Sequence, residues 1–259
     1  MTDLQPLALI PDDALAQVAF LLTDVDDTLT QAGQLTAPTL AAMEDLRAIG
    51  LRIVPITAAS AGWCSLMAHM WPVDAVIGEN GGVCLSTTEH QVRRQLWADD
   101  RGQRNALAEL RQTMMAAFPF LQPSEDSDYR LASIAFDRRA DAEENAAVLA
   151  KLRSLGASAT VNSYWLLGWL GGYDKLSAAR RWMGETFDFD IDTGNRRCLF
   201  TGDSENDEPM FSFFEHSVGV STVTTRPLRQ WPRWLTIGSG GEGFVEVAQR
   251  LLAAKARQG

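Results

Sequence analysis

Cysteine is scarce in this 259-residue chain: Cys64, Cys84 and Cys198 stand alone, odd in number and far apart. That excludes a disulfide framework and any Cys-based zinc spacing, and points to a reducing compartment. Histidine is equally sparse. His69, His90 and His216 share no metal spacing, so each reads as structural or exposed rather than catalytic. No apolar run approaches the ~20 residues that span a bilayer. The first eighteen residues carry Asp3, Asp12 and Asp13 but neither Lys nor Arg, unlike the basic start of a secretory signal. A cytoplasmic protein without a membrane partner is expected. Positive charge is also in deficit, with 23 Lys and Arg against 33 Asp and Glu, a formal net charge of −10. Such a surface repels nucleic acid, so no nucleic-acid partner is expected. An anionic substrate remains possible where a bound metal ion reverses the local field.

What the chain has is the 46% hydrophobic content of a protein with a buried core. Ala19 to Thr23 is an apolar run with acidic residues directly after it, the pattern of a buried parallel strand ending at a functional edge. Thr36 and Pro38 open a helix that Gly50 stops. Leu51 to Ile56 reads as a strand, Ala61 to Trp71 as a helix and Val73 to Ile77 as a strand. This alternation predicts an α/β fold, a doubly wound parallel sheet of Rossmann-like type. Ligands of such sheets bind beyond the carboxyl ends of the strands. The alternation breaks after Gly81-Gly82. The pattern then gives a strand, a long helix (Gln103 to Phe118), the polar loop Gln122 to Asp128, a strand (Leu131 to Phe136), a helix (Ala140 to Leu155) and two short strands up to Leu167. That is an α+β cap inserted at 84–170 into a core made of 1–83 and 171–259. The parallel pattern resumes with a helix from Lys175, a strand from Arg197 to Thr201 and a last helix from Gly243 to Ala254.

The chemistry sits at strand ends. Asp24-Val25-Asp26-Asp27-Thr28 places three carboxylates within four residues; alone, it could be a solvated acidic turn. Thr201-Gly202-Asp203-Ser204-Glu205-Asn206-Asp207 follows another apolar strand, and in a parallel sheet the two clusters can face one cleft. Converging carboxylates repel, and a divalent cation relieves the repulsion. Mg2+ suits such a site, because it takes one or two carboxylates and leaves room for phosphate oxygens. Aspartate is also a known covalent nucleophile toward phosphoryl groups. Thr57, after its strand, can offer a hydroxyl and a backbone N–H to phosphate, and Lys175 can supply a fixed positive charge.

These four pieces, in this order, resemble the motifs of the haloacid dehalogenase-like hydrolase superfamily. Asp24 to Thr28 matches Asp-x-Asp-x-Thr, and Thr57, Lys175 and Gly202 to Asp207 match the second, third and fourth motifs. The insertion between the second and third motifs, preceded by Gly78-Glu79-Asn80-Gly81-Gly82, resembles the branch with a large α/β cap. Sucrose-phosphate, mannosyl-3-phosphoglycerate and trehalose-phosphate phosphatases and phosphomannomutases belong to that branch. The resemblance implies that Asp24 attacks phosphorus and ligates Mg2+. Asp26 would act as acid and then base, its backbone carbonyl a metal ligand. Asp203 would be a direct ligand, and Asp207 would orient metal-bound water or Lys175. Thr57, Lys175 and Asn206 would hold the phosphate. The chain departs from the branch where Thr-Gly-Arg is usual, reading Thr57-Ala58-Ala59-Ser60.

The implied activity is hydrolysis of a small-molecule phosphate ester, a phosphorylated sugar or sugar derivative. The alternatives are a sugar phosphomutase using the same phosphoenzyme and a catalytically weak binding or regulatory paralogue. Oligomeric state is left open. Arg130, after the polar cap loop, is expected to touch substrate, and the glycine pairs 81–82 and 171–172 are expected to act as cap hinges. Most of the eight tryptophans, Trp63 and Trp71 among them, read as core or interface. Trp165 and Trp169 lie near the second crossing and are the candidates for substrate contact. The pairs Arg93-Arg94, Arg138-Arg139 and Arg196-Arg197 read as solvated.

Overall fold

A computed structural model describes residues 4–88, 91–98, 101–162 and 164–257; His90 lies outside the described residues. The chain opens with β1 (Gln5–Pro6) and α1 (Asp12–Ala16). The first apolar run forms β2 (Phe20–Thr23), buried along its whole length as a strand covered on both faces must be. A small hairpin follows, β3 (Thr30–Gln31) and β4 (Gln34–Leu35), and then α2 (Ala37–Ala48). Thr36 caps α2 by accepting from Thr39 N–H, with Pro38 in the first turn. Next come β5 (Arg52–Pro55), α3 (Ala61–Met70) and β6 (Ala75–Gly78).

The hairpin β7 (Val83–Thr87) and β8 (Val92–Leu96) pairs antiparallel with β6, which joins β5 through a parallel bridge between Ile56 and Ile77. Val83 and Leu85 are buried in the same core cluster as β2 and α3. The hairpin therefore sits with the core, and we place the start of the inserted unit after Leu96 rather than at 84. The inserted unit comprises α4 (Arg101–Ala117), β9 (Ser133–Asp137), α5 (Ala142–Ser154), β10 (Ser158–Val161) and β11 (Trp165–Trp169). Its antiparallel sheet has the order β10-β11-β9 and carries its own apolar cluster around Met114, Phe136 and Leu152.

The chain returns through α6 (Lys175–Phe187), β12 (Cys198–Gly202), α7 (Glu208–Phe213), β13 (His216–Gly219), β14 (Trp234–Leu235) and α8 (Gly240–Ala256). The main sheet has six strands in the order β1-β14-β13-β12-β2-β5, all parallel. Register decides where the chemistry falls. Thr23 pairs with Thr201 on one side and with Pro55 on the other. The next residues along the three neighbouring strands, Asp24, Gly202 and Ile56, therefore lie side by side where the strands end. No helix among the described residues is long and apolar enough to cross a membrane.

Candidate active site

Three loops leave β2, β12 and β5, and the N-terminus of α6 meets them. Asp24 is buried, and its Oδ1 accepts from Val25 N–H at 2.8 Å and pairs with Lys175 Nζ at 3.0 Å. Lys175 is held in place from below, where Asp174 caps α6 by accepting from Ser177 N–H and Ser177 returns the bond. The same ammonium donates to Asp207 Oδ1 at 2.7 Å. Asp207 Oδ2 accepts from Asp203 N–H at 3.0 Å and Ser204 N–H at 3.1 Å, which fixes the second acidic loop. Gly202 is required here, since a Cβ on it would come within 2.5 Å of Asp207 Oδ2. Asp203 Oδ1 is 3.5 Å from the Thr28 hydroxyl, and Oδ2 accepts from Arg226 Nη2 at 3.2 Å.

Burial sets the protonation of this cluster. It pushes Asp24 well above the usual carboxylate range; Asp207 adds to the rise, and Lys175 opposes it. Burial raises Asp203 to about 7, again with Asp207 adding to it and Arg226 opposing. Asp26 is raised to about 6 by burial, with Lys175 opposing. Burial by itself would lower Lys175, but Asp207 and Asp24 outweigh it and hold the ammonium charged.

Ligand atoms of Asp24, Asp203 and Asp207 lie within 4.8 Å of one another. The donors are all oxygen and carry mutually repelling charge, which fits a hard divalent cation. Both oxygens of Asp207 are already engaged by Lys175 and by backbone N–H groups. Asp24 and Asp203 are thus the better placed ligands, and Asp207 organises the site around them.

Asp24, Asp26, Asp203 and Asn206 line one narrow cleft with Ala58 and, from the insert, Asn162. Thr57 is fully buried beside it, its hydroxyl accepting from Ala59 N–H at 3.0 Å. Asn206 accepts from the Ser204 hydroxyl and donates to Asn80 Oδ1 at 3.4 Å. Asn80, at φ 57°, keeps its own amide nitrogen buried without a partner.

Arg130 does not line this cleft. Its guanidinium is buried and forked onto Asp126, at 3.0 and 2.9 Å, and it also donates to Ala58 O and the Ser133 hydroxyl. Trp169 is buried too, its indole N–H donating to Tyr173 O. Gly81 and Gly82 form an anchored turn rather than a free hinge. A Cβ on either would collide with Ala178, Tyr173 or Ala132, and their carbonyls accept from Trp182 Nε1 and Trp97 N. The three arginine pairs are exposed, as is His69, while His216 is buried.

Sequence reasoning missed Glu79, Asn80, Asn162 and Arg226. Glu79 is fully buried, and its carboxylate accepts from Ala61 N, Leu131 N, Ala132 N and the Ser133 hydroxyl at 2.7–3.0 Å. It ties the core to the segment entering β9. The only signal for Glu79 and Asn80 was the Gly78-to-Gly82 stretch, and it gave no partner.

The parallel core, the inserted α/β unit and the four motifs at neighbouring strand ends define a haloacid dehalogenase-like hydrolase. Residues 17–236 match the family described as Sucrose-6F-phosphate phosphohydrolase; the chain belongs to that family and is a phosphatase. No curated protein matches. Among solved structures, a Thermoplasma acidophilum protein superposes with a TM-score of 0.69 at 20% identity, covering 90% of this chain and 98% of that one. A putative HAD/COF-like hydrolase from Plasmodium vivax gives 0.69 at 15% identity, with 96% and 99% covered. The C-terminal domain of C. albicans trehalose-6-phosphate phosphatase gives 0.67 at 14% identity, with 96% and 99% covered. At these identities the likeness is one of fold.

Proposed function

We propose that the chain hydrolyses a phosphomonoester of a sugar or sugar derivative, with Mg2+, through an aspartyl-phosphate on Asp24. One observation carries the reading: buried Asp24 lies against the Lys175 ammonium and beside Asp203, with Asp26 on the same cleft. Thr57, Lys175 and Asn206 would hold the transferring phosphate. An Asp24 carboxylate oxygen bonds to phosphorus as the ester P–O bond breaks, and the proton of Asp26 goes to the leaving oxygen. Asp26, now ionised, takes a proton from water as the water oxygen bonds to phosphorus and the Asp24–phosphorus link breaks. Phosphate leaves and both carboxyl groups return to their first state. A Mg2+ ion held by Asp24, Asp203 and the Asp26 carbonyl would neutralise charge on the phosphate oxygens.

The replacement of Gly-Arg by Ala58-Ala59 leaves every one of these groups in place, which favours an enzyme over a binding paralogue. A reducing, cytoplasmic setting is supported by three buried, unpaired thiols. Burial raises Cys84 and Cys198 to about 12 and Cys64 well above its usual value, so none is a ready nucleophile. The test is phosphate release from a panel of phosphorylated metabolites with Mg2+ and with excess chelator. Full activity in chelator would sink the metal-assisted route.

A further inference from the structure

The groups around phosphorus account for the chemistry, but they leave the space beside Asp26 without a role. There the cleft widens into a cavity of about 420 Å³, the size of a pocket for a small organic group. Trp63, Trp71, Tyr164 and Trp165 form much of its wall, and Asp26 and Ala59 line it beside the cleft. Trp63 is 47% exposed and Tyr164 is 40% exposed, so these rings face open space rather than completing a core. Two chain segments far apart in sequence, α3 with its following turn and the start of β11, supply the rings. The polar groups on the wall include the Asp26, Thr30 and Glu125 side chains and the Tyr164 hydroxyl, and no Lys or Arg is among the described lining residues. The nearest cation placed against these rings, Arg130, lies over Trp165 at 5.4 Å, with its charge committed to Asp126.

We infer that this cavity holds the leaving group and selects one that is uncharged and presents a flat apolar face, rejecting esters whose leaving group carries a further anion. The inference rests on the phosphatase reading and narrows its substrate. A ring gains stacking on indole faces. A carboxylate or second phosphate would lose hydration, meet no cation among the described lining residues and face the Glu125 carboxylate. Sugar bisphosphates and phosphorylated sugar acids are therefore disfavoured. So is the mutase alternative, which must seat a bisphosphate's second phosphate in this space.

The experiment compares 4-carbamoylphenyl phosphate with its isosteric anion, 4-carboxyphenyl phosphate, on the full chain with Mg2+. The amide should exceed the carboxylate in kcat/KM by about tenfold, mainly through KM, the order expected for one like-charge contact in a partly hydrated cleft. Glu125→Lys, at an exposed position the fold tolerates, should narrow that ratio several-fold. Turnover of both esters with a ratio near one, or a ratio unmoved in Glu125→Lys, overturns the inference and leaves the phosphatase reading standing. Absence of turnover of both overturns the phosphatase reading instead. Ligand-observed NMR with 4-hydroxybenzamide and 4-hydroxybenzoate then decides the cavity's preference without catalysis, and equal binding of the two phenols overturns it.

Discussion

Asp24 and Asp26 are two residues apart, yet the fold gives them different work. Asp24 lies in a clasp of Val25 N–H and the Lys175 ammonium, positioned to attack. Asp26 lines both the narrow cleft and the aromatic cavity, which is where a leaving oxygen would sit between phosphorus and its substituent. Asp24→Asn should abolish a phosphoenzyme trapped by acid quench, because an amide is a poor nucleophile. Asp26→Asn should still form it, slowly. Removing general acid–base help costs ~10²–10⁴-fold, and less for a good leaving group. Asp26→Asn should therefore hurt an alkyl phosphate far more than 4-nitrophenyl phosphate in steady-state rates. Equal losses on the two would remove the acid role from Asp26.

At the scale of elements, the join between core and insert rests on a charged side chain that enters from the core. Glu79, at φ 51°, gathers four donors, one from the first turn of α3, two from the bend before β9 and one from its first residue. Arg130 closes the same junction from the other side through Ala58 O. Glu79→Gln keeps the shape but turns an NH2 toward N–H donors. A hydrogen bond to a charged group is worth about 1.5–3 kcal/mol, so a loss of a few kcal/mol is expected in denaturant unfolding. Hydrogen exchange at the Leu131 and Ala132 amides should rise with it; unchanged protection there would mean that Glu79 is not the tie. Arg130→Ala should destabilise by about 3–5 kcal/mol, because buried Asp126 is left without its partner. Wild-type stability in that variant would show the pair to be dispensable. The junction also marks where sequence reading stopped. β2, β5, β12 and α6 were legible, because apolar runs and caps are local signals and the catalytic carboxylates follow directly on strand ends. Glu79 was not, because a buried carboxylate is recognised by its partners, and those lie 18 and more than 50 residues away. The β7–β8 hairpin was assigned to the insert for a similar reason: alternation identifies a strand but not the sheet it joins. Trp63 and Trp71 read as core by residue type, and only the packing of the insert opposite α3 makes them a cavity wall.

For the whole molecule, three half-buried or buried carboxyls in one cleft make stability depend on pH in an unusual direction. Asp24, Asp26 and Asp203 all have raised affinities for protons, with burial the first cause of each. The unfolded chain releases these protons near pH 4. Between there and the folded values, about 6 for Asp26 and about 7 for Asp203, the folded state binds more protons than the unfolded state. Stability therefore falls as pH rises through that window. Lys175, whose proton is also held more tightly in the fold, stays charged in both states throughout it and contributes no slope. Burial lowers His216, which opposes this slope below about pH 6.5 as one group against three, while Asp12 and Asp190 are shifted downward and act only below about pH 4. A divalent cation binds the ionised cluster, so its stabilising effect must grow over the same interval. In chelator, the melting temperature should drop by several degrees between about pH 5 and about pH 8, since 1 kcal/mol is worth about 2–4 °C in a chain of this size. Added Mg2+ should raise the melting temperature little at the acid end and strongly at the alkaline end. Asp203→Asn should flatten the curve in chelator and remove most of the Mg2+ shift. A pH dependence in chelator unchanged by Asp203→Asn would show that the cluster does not carry these protons, and a Mg2+ shift equal at both ends would show that the ion does not bind these carboxylates.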